Sequence, residues 1–168
     1  MGILDDLYGK VRAVNDGLTG GSLIREVITR FESDVLELQK KQLFEGKAGT
    51  GEDLRPYYSE DLQPGGYFRD KEAAKQYSVW KQGLSYPYSA QRNPDAPNLY
   101  INGTFHSELG VRFDADAMAV VPTSAFSQRV MKKYGEGQFG LMWINWNEIM
   151  FVRGGYDGIL DEVKKELR

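Results

Sequence analysis

Apolar residues recur at helical spacing in several parts of the chain. The strongest pattern covers residues 22–45 and predicts one long helix with its apolar stripe buried against a sheet. A coiled coil is disfavoured there because the pattern lasts only about two to three heptads. Weaker patterns predict an amphipathic segment at residues 1–16 and helices at residues 70–82, 127–134 and 156–167. Asp70 is the predicted N-cap of the first of these helices, which carries Ala73, Tyr77 and Trp80 on one face.

Two short apolar runs, at residues 111–113 and 117–121, predict strands joined as a hairpin across Asp114, Ala115 and Asp116. Together with the helices they predict an α+β fold. We expect a small antiparallel sheet near residues 99–121, packed by the long N-terminal helix and the C-terminal helix. The length of 168 residues predicts a single domain, 1–168.

Two stretches rich in glycine and proline, residues 46–68 and 84–98, predict long loops. Loops of this length are uncommon in compact domains and tend to be functional. They carry several tyrosines, a residue that protein interfaces favour for its large area and polar tip. A dense apolar run near residue 146 is either core or subunit contact. We therefore hypothesise a subunit interface that includes Tyr57, Tyr58, Tyr86, Tyr88, Trp143 and Trp146.

Composition narrows the partners of the chain. The formal net charge is −3, so no basic surface for wrapping nucleic acid is expected. Cysteine is absent, which excludes disulfides, thiol catalysis and cysteine metal sites. No apolar run approaches the roughly 20 residues of a membrane span, and no signal peptide is recognisable at the N-terminus. We expect no membrane partner.

The sequence predicts no catalytic, cofactor or metal site. His106 is the single histidine, and we expect it to face solvent or a neighbour after the N-cap residue Asn102. The glycines of residues 46–51 lack the ending of a phosphate-binding loop. Paired carboxylates such as Glu60 and Asp61 leave a carbohydrate-active or other hydrolase open as an alternative. A monomeric binding module with a tyrosine-lined pocket is the other alternative.

Three fragments carry a resemblance to a known family. Residues 99–109, LYINGTFHSEL, match a pattern Leu-x-x-Thr-Gly-x-Leu/Phe-x-x-Ser-Ile/Phe, with Asn102 in place of threonine and Glu108 in place of serine. Residues 134–141, YGEGQFGL, match Tyr-Gly-Glu-x-x-Phe-Gly-Leu. Residues 51–62, GEDLRPYYSEDL, resemble a Gly-x-x-Leu-x-Pro-Tyr-Ser loop after a long helix. The chain thus resembles the tail-completion or virion-morphogenesis proteins of tailed bacteriophages.

The resemblance implies a structural virion protein of the neck or proximal tail, not an enzyme. Such a protein forms a ring with other copies of itself and contacts portal or adaptor and tail proteins. DNA would pass through the ring without sequence-specific recognition. The protein would be made in the cytoplasm of the bacterial host and end in the virion, and it would need no cofactor.

Overall fold

The computed structural model describes residues 3–84, 92–113 and 118–168. Helices dominate these residues, and the two strands β1 and β2 pair as one small antiparallel sheet, so the predicted α+β fold is confirmed. The connection between the strands, with Asp114 and Asp116, lies outside the described residues. The elements are α1 (Ile3–Thr19), α2 (Ser22–Arg30), α3 (Glu32–Phe44), α4 (Lys71–Gln82), α5 (Thr104–Ser107), β1 (Leu109–Phe113), β2 (Met118–Pro122), α6 (Ala125–Tyr134), a 3₁₀ turn (Glu136–Gln138), α7 (Trp143–Asn147), a π-helix (Glu148–Val152) and α8 (Gly155–Leu167).

The predicted helix over residues 22–45 is wrong in one respect: it is two helices. Phe31 separates α2 from α3 with φ −102° and ψ 16°, outside the helical range. Its N–H still bonds to the carbonyl of Ile28 at 2.9 Å, which closes the last turn of α2. A break of one residue leaves apolar residues three and four apart on either side. The periodicity therefore could not reveal it.

The chain forms two compact units. Unit 1 contains Met1–Val35, Val111–Ala119 and Ile144–Arg168, and unit 2 contains Leu36–Gly110 and Val120–Trp143. That the whole chain is a single domain stays a prediction.

Unit 1 is built around α8, which packs against both α1 and α2. A Cβ atom on Gly158 would lie 3.0 Å from a methyl group of the fully buried Val27, so glycine allows α8 to approach α2 closely. The carboxylate of Glu162 bonds with Lys165 at 2.8 Å and with Arg30, and these two contacts lower its pKa. Helix α8 is therefore held to α2 by both apolar packing and an ion pair.

Unit 2 contains the long predicted loop between α3 and α4. Apart from isolated bridges, residues 45–70 form no helix or strand, as predicted for 46–68. The loop includes cis peptide bonds before Pro56 and Pro64. Helix α4 then begins at the predicted cap: the side chain of Asp70 accepts a hydrogen bond from the N–H of Ala73 at 2.8 Å.

The buried face of α4 differs from the apolar stripe in its sequence. Ala74, Ser78 and Lys81 are buried, whereas Trp80 is half exposed. The hydroxyl of Ser78 donates to the carbonyl of Pro94 at 2.6 Å, and the ammonium of Lys81 donates to the carbonyl of Tyr100. Hydrogen bonds to an irregular segment thus set the orientation of the helix, and hydrophobic spacing cannot anticipate them.

Candidate functional site

Hydrogen bonds between side-chain amides and backbone groups hold the region around the loop between α3 and α4 against the motif at residues 134–141. The amide of Gln138 accepts from the N–H of Arg55 at 2.8 Å and donates to its carbonyl at 2.9 Å. Gln42, in the last turn of α3, likewise donates from its side-chain amide to the carbonyl of Gly140 at 2.8 Å. A Cβ on Gly49 would lie 2.7 Å from the carbonyl oxygen of Gly140. The loop and the segment around Gly140 therefore approach each other so closely that only glycine fits at position 49.

These contacts bring the three fragments of the phage resemblance together in unit 2. Gln138, in the fragment at residues 134–141, bonds to Arg55 in the fragment at residues 51–62. Phe139, in the same fragment as Gln138, lies near the fragment at residues 99–109: the centre of its ring is 6.2 Å from that of Phe105. Residues from all three fragments are therefore part of one packed region.

The two loop tyrosines predicted as interface residues are engaged within the subunit. The hydroxyl of Tyr57 donates to Asp53 at 3.0 Å, and the guanidinium of Arg55 lies 3.7 Å from the centre of the Tyr57 ring. Tyr58 is only 4% exposed, and its ring packs edge-on against Phe68 and Tyr77. Burial leaves Tyr58 little area for a neighbouring subunit, so its assignment to the interface is not retained.

The other four predicted interface residues have different surroundings. Trp143 is 76% exposed, and Trp146 is half-buried. Tyr86 and Tyr88 lie outside the described residues.

Of the two surroundings expected for His106, solvent or a neighbour, the first is wrong. Its ring is buried, with Nε2 3.0 Å from the carbonyl oxygen of Asn98 and the ring centre 4.4 Å from that of Phe44. Burial lowers the pKa of His106 to about 4, so the ring is neutral near pH 7. Helix α5 has only four residues, and Leu109 already begins β1. Phe105 and His106 therefore both face inward, and Leu109 is buried as well.

The cap of α5 is nearly as predicted. The side chain of Asn102 accepts from the N–H of Thr104 at 3.1 Å, but the N-cap residue itself is Gly103, with a left-handed φ of 87°.

Carboxylates in the loop between α3 and α4 are paired with cations. Asp53 accepts from Lys47 at 2.7 Å, and this bond lowers the pKa of the carboxyl group. Asp61 bonds with Lys133 at 2.6 Å, and Glu60 bonds with Arg55. In the part of the chain that the structure describes, no cluster of three histidine or carboxylate side chains could hold a metal ion.

Helix α1 exposes an apolar stripe. Within residues 4–19 no side chain is buried, although α1 contacts α8 and α2. The stripe, here called the α1 seam, repeats at alternating spacings of three and four residues, the a and d positions of a heptad. Its first three members are 79%, 51% and 52% exposed. The α1 seam consists of Leu4, Leu7, Val11, Val14 and Leu18.

A second exposed apolar surface of unit 1 surrounds the π-helix. The rings of Phe151 and Tyr156 lie 6.1 Å apart, and both are exposed. Arg153 stabilises this turn: its N–H bonds to the carbonyl of Glu148 at 2.9 Å, and its guanidinium bonds to the carboxylates of Glu148 and Asp34. The π-helix patch consists of Ile144, Phe151, Val152 and Tyr156.

Unit 2 contains a cavity of about 560 Å³. Its walls come from the loop between α3 and α4, from α4, from residues 97–105 and from α6. Tyr58, Phe68 and Phe105 form a buried aromatic floor, whereas the rim is exposed to solvent. The apolar residues of the rim are Tyr67, Ile101 and Phe126.

Charged groups line the same cavity on two sides. Lys81 is buried in the wall, where burial lowers its pKa to about 7. Asp61 is paired with Lys133, and its other oxygen accepts from the N–H of Tyr67 at 3.1 Å. Arg129 is exposed at the rim, and no carboxylate whose side chain the structure describes pairs with it. The tyrosine-lined cavity was not located by the sequence, because its walls come from four separate segments.

In comparison with known proteins, no family model, curated protein or solved structure matches the chain. Among the described residues, no helix combines the length and apolarity needed to cross a membrane.

Proposed function

We propose that the protein is a structural virion component of a tailed phage, located in the neck or proximal tail, and that it forms a ring joining head to tail. The three fragments of the resemblance suggest the family. The exposed α1 seam is the observation that supports ring formation. A helix in a monomer ordinarily buries its apolar stripe, and large exposed apolar patches mark interaction sites.

The partner of the α1 seam is another copy of the chain. A ring arises when two different surfaces of one subunit meet head to tail and the rotation closes. Unit 1 offers two such surfaces on separate elements, the α1 seam and the π-helix patch. We assign the contact to these two surfaces. In this assignment Trp143 and Trp146 are candidates for contacts with neighbouring neck or tail proteins.

Ring formation requires no chemistry from the subunit, and we propose that the protein is not an enzyme. The carboxylates of the alternative hydrolase are engaged in ion pairs: Glu60 with Arg55 and Asp61 with Lys133. A structural role is also compatible with net charge −3, since a ring through which DNA passes should not grip it.

Purified phage particles test the proposal. Mass spectrometry should find the protein in complete virions at a copy number of one ring, and image reconstruction should place it between portal and tail. Phages that carry Leu7→Asp should yield heads without tails, whereas Ala13→Asp, on the same helix but off the seam, should yield normal particles. Absence of the protein from virions, or normal assembly with Leu7→Asp, would contradict the assignment.

A second function, ligand binding by a single subunit, is favoured by one observation: the aromatic cavity of unit 2. Its volume is within the range of small-molecule sites, about 300–1,000 Å³.

A further inference from the structure

The cavity of unit 2 is suited to an apolar body. Three buried rings form its floor, and the exposed rim adds two more rings and an isoleucine. Apolar side chains at the rim cost free energy in water unless something covers them. Most ligand sites share this composition, a largely apolar lining with a few polar groups that fix orientation.

Helix α6 supplies both the apolar and the charged part of one wall. Phe126, Arg129, Val130, Lys133 and Tyr134 line the cavity at spacings of three and four residues, so they share one face of the helix. Lys132 is exposed on the same helix and does not line the cavity.

The charges of the lining are not balanced. Asp61 is the one carboxylate among the described residues that line the cavity, and it is already paired with Lys133. Arg129 therefore leaves positive charge at the rim, and Lys81 adds a buried amine to the wall. This local excess is opposite in sign to the net charge of the chain, −3. A ligand that complements the cavity combines an apolar body with a negative headgroup.

We propose that the cavity is a binding site for a small amphiphilic anion, an aromatic or alkyl carboxylate, with its apolar body on the Tyr58, Phe68 and Phe105 floor and its headgroup beside Arg129. The anion reaches the floor across the exposed rim. The guanidinium of Arg129 can donate two parallel hydrogen bonds to a carboxylate, which fixes the orientation of the headgroup. Binding does not require a second subunit and is independent of ring assembly.

Two fluorescent probes that share their rings and differ in charge test the site. Anilinonaphthalene sulfonate is anionic, and phenylnaphthylamine is its neutral counterpart. We expect saturable binding of one anionic probe per chain, competition by decanoate, and weaker binding of the neutral probe. Arg129→Glu should weaken binding of the anionic probe by about tenfold, the effect of reversing one nearby charge in a partly solvated site. The same variant should leave binding of the neutral probe almost unchanged.

Lys132→Glu is the matched control, because it reverses one charge on the same helix away from the cavity. Phe151→Ser removes a ring of the π-helix patch and checks for probe bound there. Both variants should bind the anionic probe like the wild type, and circular dichroism should show all three variants folded. Equal losses in Arg129→Glu and Lys132→Glu would overturn the proposal. The proposal would also be overturned if Phe151→Ser lost binding of the anionic probe, if the neutral probe bound more tightly than the anionic one, or if decanoate did not compete.

Discussion

Residues 45–70 of unit 2 have almost no regular structure, whereas α1 of unit 1 is a regular helix of 17 residues. The irregular segment uses its side chains internally: Tyr58 is buried, Tyr57 bonds to Asp53, and the guanidinium of Arg55 pairs with Glu60. The helix does the opposite and leaves Leu4, Leu7 and Val11 mostly exposed.

The comparison separates two properties that are easily confused. Helical spacing reports local backbone geometry, whereas the need for a partner depends on how much apolar area the subunit itself covers. Loop tyrosines suggested an assembly surface by composition alone, yet the two exposed apolar surfaces of unit 1 lie on helices. The proposed contact surface therefore moves from the loops to the α1 seam and the π-helix patch.

Tyr58→Ser should have the largest effect on stability and tests whether the loop is part of the core. Truncating a buried aromatic side chain costs roughly 3–5 kcal/mol in free energy of unfolding. Tyr57→Ser is the matched control: it loses one hydrogen bond and a ring contact, worth about 1–2 kcal/mol together. Urea unfolding of both variants measures the difference. Equal and small losses would mean that the loop is not packed as described.

Gly66→Ala should destabilise the same loop by about 3 kcal/mol, because its new Cβ would lie 2.1 Å from the backbone carbon of Asp61 and force the chain apart. Gly65→Ala adds the same atom one residue earlier, where nothing lies within 4 Å. That variant should stay within about 0.5 kcal/mol of the wild type. If the two substitutions have the same effect in thermal unfolding, the close turn of this loop is refuted.

Acid should weaken unit 2 through His106. The folded ring has a pKa of about 4 and the unfolded one 6.5, so the unfolded state binds more protons between these pH values. The neutral His106 ring contributes fully to the free energy of unfolding above pH 6.5, and this contribution is lost as the pH falls to 4. The loss is about 3 kcal/mol, since each unit of difference between the folded and unfolded pKa corresponds to about 1.4 kcal/mol. Denaturant unfolding across this range should show a steeper loss for the wild type than for His106→Gln. Parallel pH profiles would contradict the burial of the ring.

The sequence predicted the positions of helices and strands better than it predicted which side chains are buried. Helical periodicity and the Asp70 cap located α4 correctly, because both depend on neighbours in sequence. The same reasoning did not anticipate that His106 and Lys81 are buried, since their hydrogen-bond partners, the carbonyl groups of Asn98 and Tyr100, belong to an irregular segment. The cavity could not be predicted for the same reason. The α1 seam was visible as an amphipathic segment, but only the structure shows that its apolar side chains stay exposed.

Leu7→Asp should change the stability of the isolated chain by only about 0.5 kcal/mol, because Leu7 is half exposed and makes no core. The same change should abolish self-association, since it places a charge in the middle of the α1 seam. Ala13→Asp introduces an identical charge on an exposed position of α1 away from the seam and should associate like the wild type. Sedimentation velocity from micromolar to submillimolar concentration distinguishes the two variants.

The most direct test of the ring contact mixes two variants that each block one surface. Leu7→Asp blocks the α1 seam, and Phe151→Asp blocks the π-helix patch. If the seam of one copy binds the patch of the next, each variant alone should sediment as a monomer and an equimolar mixture should form a one-to-one dimer. The wild type should grow beyond a dimer as its concentration rises. A mixture that stays monomeric, or a wild type that is monomeric throughout, would contradict the head-to-tail contact.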